Sequence, residues 1–136
     1  MHTAEHILNR TMTEIMGTAR SFTSHLDGKK GKCDYKFSRN LTAEETALLE
    51  RQVNGVIVRK TPVTEEFVTR AYADEHFNVS KLPEKAGDAI RIIRVGGYDV
   101  CPCIGAHVGN TSEIGSFRLV SSDYAEGVLR VRFRLE

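Results

Sequence analysis

Residues 128–135 read Val-Leu-Arg-Val-Arg-Phe-Arg-Leu, and this run constrains the fold more than any other. Leu129, Val131, Phe133 and Leu135 alternate with Arg130, Arg132 and Arg134. A period of two sends the two sets to opposite faces, so the segment 127–135 is predicted as a strand with one buried and one wet face. Such strands belong to antiparallel sheets, which commonly leave one face in water. The stretch 32–38 repeats the pattern, with Cys33, Tyr35 and Phe37 against Asp34, Lys36 and Ser38. It pairs naturally with 20–27 across the turn Asp27-Gly28-Lys29-Lys30-Gly31. Further strands are expected at 62–69, opened by Pro62, at 89–95, closed by Gly96-Gly97, and at 115–121. The segment 101–113, rich in Gly, Pro, Asn and Ser, is expected as loop.

Helical periodicity occurs in two long places. Over 3–16, Ala4, Leu8, Met12, Ile15 and Met16 share one side, with Gly17 as the stop. Beside them His2, His6, Asn9 and Thr13 form a polar stripe. Over 43–59, Thr42 followed by Glu45 is a capping box, and Ala47, Val53, Val56 and Ile57 supply the buried side. A short helix is expected at 71–77. Strands outnumber helices and do not alternate with them one for one. The predicted class is α+β: two layers, a mainly antiparallel sheet with helices on one face. With 136 residues and no repeat or linker composition, the expectation is a single domain, 1–136.

Composition excludes several classes. Charged residues make up 27% and apolar ones 40%, which is globular rather than disordered. No apolar run is long enough to span a bilayer, so no membrane partner is expected. The opening MHTAEHILNR lacks the basic-then-apolar form of a secretory signal, and a cytoplasmic location follows. A net charge of +1 gives no overall attraction to nucleic acid, and no DNA partner is expected. Three cysteines in such a chain read as reduced thiols or metal ligands.

Two short motifs carry the chemistry. His2-x-x-x-His6 puts two imidazoles on one helix face. Cys103-x-x-x-His107 adds a thiolate and a third imidazole from the other end of the chain. Zinc accepts such a mixed set in tetrahedral geometry, so His2, His6, Cys103 and His107 are the candidate ligands of one zinc ion. The string His2-Thr3-Ala4-Glu5-His6 also matches the inverted zinc-protease motif, but that reading leaves Cys103 and His107 unused. Glu5 is the nearest carboxylate to serve as a base; otherwise it is a solvated acid suited to a first helical turn. Cys101 is either an auxiliary thiol or a small, half-buried residue, and Cys33 reads as core. His25 and His76 lack partners at ligand spacing. Lys29, Lys30 and Lys32 form a basic turn suited to phosphate contact, or else a solvated surface.

HTAEHIL and CIGAHVGNTSEIGSFRLVSS resemble the editing domain, or second additional domain, shared by threonyl- and alanyl-tRNA synthetases and by free-standing AlaX-type trans-editing proteins. That family's pattern is H-x-x-x-H followed far downstream by C-x-x-x-H, and here the motifs begin at 2 and 103. The resemblance implies hydrolysis of the ester joining a wrong amino acid to the acceptor end of tRNA. Seryl or glycyl esters on tRNA of the alanine or threonine family are the expected substrates. It assigns the metal positions to His2, His6, Cys103 and His107, and the small hydroxyl residue after the first histidine to Thr3. It also implies a chain lacking the small β-barrel domain that precedes this one in AlaX proteins. Cys101 stands where threonyl-type domains usually carry an acid, with Asp99 two places further back, and Ala106 replaces the family's proline. The alternative is a non-catalytic, metal-containing module that binds tRNA, a partner protein or a second copy of itself.

Overall fold

A computed structural model describes residues 1–77 and 89–136. Among them the chain forms α1 (His2–Met16), β1 (Thr23–Asp27), β2 (Lys30–Lys36), α2 (Ala43–Val58), β3 (Val63–Thr69), α3 (Arg70–His76), β4 (Ala89–Val95), β5 (Asp99–Pro102), a 3-10 turn (Thr111–Glu113), β6 (Phe117–Ala125) and β7 (Val128–Leu135). The class is α+β, as the strand and helix patterns imply. The strands are split between two antiparallel sheets, ordered β1-β2-β7-β6 and β3-β4-β5. None of the described helices is long and apolar enough to cross a membrane.

The larger sheet follows from the alternation read in the sequence. Cys33 pairs with Val131 and Gly31 with Phe133 across β2 and β7. Leu129, Val131 and Phe133 point inward and are buried, while Arg130, Arg132 and Arg134 line the outer face. Asp34 lies on that outer side too, yet it is buried, because Arg130 folds over it with hydrogen bonds of 2.8 and 3.0 Å. Gly31 is required where it stands. A β-carbon there would lie 2.3 Å from Phe133 Cζ, inside a ring stacked on Phe117.

Helix α1 lies in the main core, with Ala4, Ile7, Leu8 and Met12 fully buried beside Cys33, Tyr35, Leu49 and Val53. Ile15 and Met16, at its end, are only partly buried. Gly17 ends the helix in the left-handed region (φ 71°), a conformation cheap for glycine alone. Of the polar stripe, His6 and Asn9 are buried as well, while His2 and Thr13 at its ends are half-exposed. Asn9 accepts hydrogen bonds from the Ser21 amide (3.1 Å) and the Tyr35 hydroxyl (2.8 Å), tying helix to sheet. Burial drives the Tyr35 phenol well above its usual pKa, so it stays a donor.

The Thr42–Glu45 capping box forms as read. On α2 the buried side is Leu49, Val53, Val56 and Ile57, whereas Ala47 is exposed. The helix is rotated so that its larger apolar side chains meet the core. A second correction concerns 101–113. Its first residues belong to β5, which pairs with β4 in the register Ile92–Pro102 and Ile93–Cys101. A proline is tolerated there because it ends the strand. The loop proper therefore starts at Cys103.

Candidate metal centre

The loop carrying the second motif is held at both ends. At its start, the Cys103 amide donates to the Arg91 carbonyl at 3.2 Å. The Arg91 guanidinium, reaching across from β4, donates to the Gly105 carbonyl at 2.6 Å and is itself held by Glu65 at 2.6 Å. At its end, Val63 donates to the Gly109 carbonyl and Thr111 to the Thr61 carbonyl. The Thr111 side chain accepts from the Thr61 amide and donates to the Ile57 carbonyl. The loop is thereby pressed against the N-terminal end of α1. A β-carbon at Gly105 would fall 2.6 Å from the His2 ring, so the close approach depends on glycine.

This brings the two motifs together. One ligand atom each from His6, Cys103 and His107 lie within 4.8 Å of one another. The His6 and His107 rings meet edge to face with centroids 4.6 Å apart. His2 stands at the rim, its side chain 42% exposed and its ring centroid 5.9 Å from that of His107. It is outside the group of three. Thr3 is buried, and its hydroxyl lies 2.8 Å from His107 Nδ1. That contact occupies one ring nitrogen. The other, Nε2, is buried with no hydrogen-bond partner among the described residues. An orphaned buried nitrogen is costly unless something binds it.

The electrostatics suit metal ligation. Burial, aided by Arg91 and His2, lowers the His107 pKa to about 4, so the imidazole is neutral near pH 7. Burial raises the Cys103 thiol, while the Gly105 amide, 3.3 Å from its sulfur, favours the thiolate. Cys101 is pushed up to about 11, chiefly by burial, and is a protonated thiol at neutral pH. Glu5 is mostly shielded, its side chain 13% exposed, with Oε2 3.9 Å from His2 Nδ1 and Oε1 accepting from Ser24 at 2.9 Å. A set of two or three imidazoles and one thiolate fits zinc.

Residues 90–132 match the family model described as the threonyl and alanyl tRNA synthetase second additional domain. Alanine–tRNA ligase of Methanococcus maripaludis (strain C7) is 32% identical over 97% of this chain. The same ligase of Bacillus subtilis (strain 168) is 34% identical over 96%, and that of Fervidobacterium nodosum 33% over 96%. Over residues 90–132 the chain is thus similar to the second additional domain of tRNA synthetases, and over nearly its whole length to a segment of alanine–tRNA ligases. It spans about 15% of the length of these relatives.

Further residues at the site lie outside both motifs. Arg91 interrupts an apolar strand, which was the one visible sign that it has a task. Asp99, Arg10 and Arg20 gave no such sign, since their partners are far apart in sequence. The lysine turn is where the hairpin was expected. Lys29 and Lys30 are exposed and Lys32 is half-buried, with Lys32 paired to Arg132 and Lys30 to Arg134 across the strands. Asn9 meets Tyr35, and Glu5 meets Ser24, which lies opposite Cys33. Lys30 and Lys32 share the outer face of the sheet with Arg134 and Arg132, opposite the face that packs on α1. His25 and His76 are exposed, and Cys33 is core.

Proposed function

We propose that the domain hydrolyses the aminoacyl ester of mischarged tRNA, using a zinc ion held by His6, Cys103 and His107 with His2 completing the set. The observation that carries this is the buried, unpartnered Nε2 of His107 beside Cys103 and His6. Two imidazoles and a thiol drawn from opposite ends of the chain into one cluster form a donor set suited to such an ion. When bound, the ion would supply positive charge to polarise the ester carbonyl or lower the pKa of water.

The chain's own residues take defined parts. Thr3 holds His107 in orientation through its 2.8 Å contact, as supporting groups do around metal ligands. Glu5, kept in place by Ser24, takes a proton from the attacking water. The water oxygen adds to the ester carbon, the bond to the ribose oxygen breaks, and the proton passes to that leaving oxygen. The products are a free amino acid and intact tRNA. Lys29, Lys30 and Lys32, at the hairpin turn and on the outer face of the sheet, would meet phosphates flanking the acceptor end.

The relatives are alanine–tRNA ligases, which supports seryl or glycyl esters as substrates. Serine is small enough to be mistaken for alanine, and a pocket alone excludes one added hydroxyl poorly. A second, hydrolytic site answers that limit. Such an activity belongs in the cytoplasm, where tRNA is charged. The test is deacylation of Ser-tRNA and Gly-tRNA of the alanine and threonine families by zinc-loaded protein. Release by the wild type and none by Cys103→Ala, with the fold retained, is expected. Intact esters after incubation with loaded wild type would overturn the hydrolase reading in favour of a tRNA- or partner-binding module.

A further inference from the structure

Beneath the candidate metal centre lies a charged cluster that neither motif contains. The Asp99 side chain is fully buried at the start of β5. Arg20 grips both of its oxygens, at 2.7 Å to Oδ1 and 3.1 Å to Oδ2, and Arg10 adds a 3.3 Å bond to Oδ1. Oδ2 lies 3.6 Å from His6 Nδ1, and the His6 side chain is itself only 5% exposed. Arg10 and Arg20 are each about 30% exposed, so the cluster runs from the protein surface to the histidine. A buried carboxylate is expensive unless it is paired. Two guanidiniums meet that need, and the carboxylate is then fixed in direction as well as in charge.

We infer that Asp99, locked by Arg10 and Arg20, is the positioning residue for His6. It holds the ring with Nδ1–H turned to the carboxylate, so that Nε2 is the nitrogen presented to Cys103 and His107. A separation of 3.6 Å is charge contact rather than a full hydrogen bond, and it suffices to choose between two tautomers. Histidines that bind metal through one nitrogen commonly direct the other to a carboxylate, which fixes the ring and raises its basicity as a ligand. Thr3 plays the matching part for His107. The two ligand imidazoles of His107 and His6 are thus aimed by two different elements, α1 itself and β5. The affinity half of the inference rests on the metal reading above; the tautomer half does not.

The experiment has two arms. In metal-free wild-type protein, long-range proton–nitrogen NMR of the histidine rings reads the tautomer of His6. Nδ1–H is expected, and a predominant Nε2–H form would overturn the inference. In the second arm, zinc affinity is measured by competition with a chromophoric chelator, and cobalt(II) replaces zinc for the visible spectrum. Asp99→Asn should weaken zinc by about 10- to 100-fold and alter the cobalt bands. Unchanged affinity and bands would overturn the inference. If Asp99→Asn fails to fold by circular dichroism, Arg20→Gln serves in its place, with a smaller loss of affinity expected and none refuting. If wild type binds neither ion, the metal reading falls, and the tautomer arm alone decides the role of Asp99.

Discussion

Thr3→Val is the substitution whose consequence is worked most directly from the structure. Thr3 is 1% exposed, and its hydroxyl lies 2.8 Å from His107 Nδ1. Valine has nearly the same shape, so the packing of α1 is kept and only the polar contact is lost. In the metal-free protein the His107 ring already has one buried nitrogen without a partner. The variant leaves both unsatisfied, which costs about 1–3 kcal/mol. Urea unfolding of the metal-free protein should show that loss as a lower midpoint at unchanged slope. Zinc affinity should fall by about 10- to 100-fold, because the ring is no longer held with Nε2 towards Cys103. Thr3→Ser, which keeps a hydroxyl, should recover most of the affinity. A valine variant within about 0.5 kcal/mol of wild type and equal to it in zinc affinity would refute the assigned role.

Other outcomes follow from particular contacts. Gly31→Ala should destabilise by about 1–3 kcal/mol in urea, since the new carbon meets the stacked Phe133 ring. Glu45 is held at about 2 by Arg39 and by the Thr42 amide. Its folded pKa lies below the unfolded one, so its stabilisation is complete above the unfolded value and fades as pH falls from about 4.5 towards 2. The stability gap between wild type and Glu45→Gln should therefore close over that window in acid-titrated melts. On zinc uptake near pH 7 the raised Cys103 thiol should release a proton that Cys103→Ala does not, while His107, already neutral, adds none; calorimetry in buffers of different ionisation heat measures the difference, and equal release by both proteins would refute it. Replacing Lys29, Lys30 and Lys32 with glutamine should weaken tRNA binding and lower its log–log salt slope by about 2–3, without changing turnover of a small aminoacyl ester.

The parts of this fold that sequence exposed were those with a single periodicity to satisfy. The arginine-and-apolar alternation showed β7 by its spacing, and 89–95 showed as a strand by its apolar run ended at two glycines. Helix α1 and its glycine stop were legible for the same reason. Ala47 misled because helix rotation is chosen by the larger side chains, Leu49 among them, and not by every apolar residue. The turn-rich composition of 101–113 hid β5, whose residues join a sheet only because β4 offers an edge. Division into two sheets has no local signature at all.

The site was half visible. Ligand types and spacing pointed to His6, Cys103 and His107, and chain position pointed equally to His2, which the geometry sets at the rim. Of the groups that aim those ligands, Thr3 was named by the resemblance, but the charged partners left no pattern. Asp99 meets Arg10 and Arg20 across 89 and 79 residues, and Arg91 meets Gly105 across 14. Long-range pairs of ordinary polar residues leave no pattern in one sequence. They are found only when the chain closes.

Central to the proposed function is that the two ends of the chain meet around a single metal ion. X-ray absorption at the zinc edge of the loaded protein measures the ligands directly. One sulfur near 2.3 Å with two or three nitrogens near 2.0–2.1 Å is predicted, with the sulfur shell lost in Cys103→Ala. A shell of light atoms without sulfur, or the same spectrum from wild type and Cys103→Ala, would contradict it.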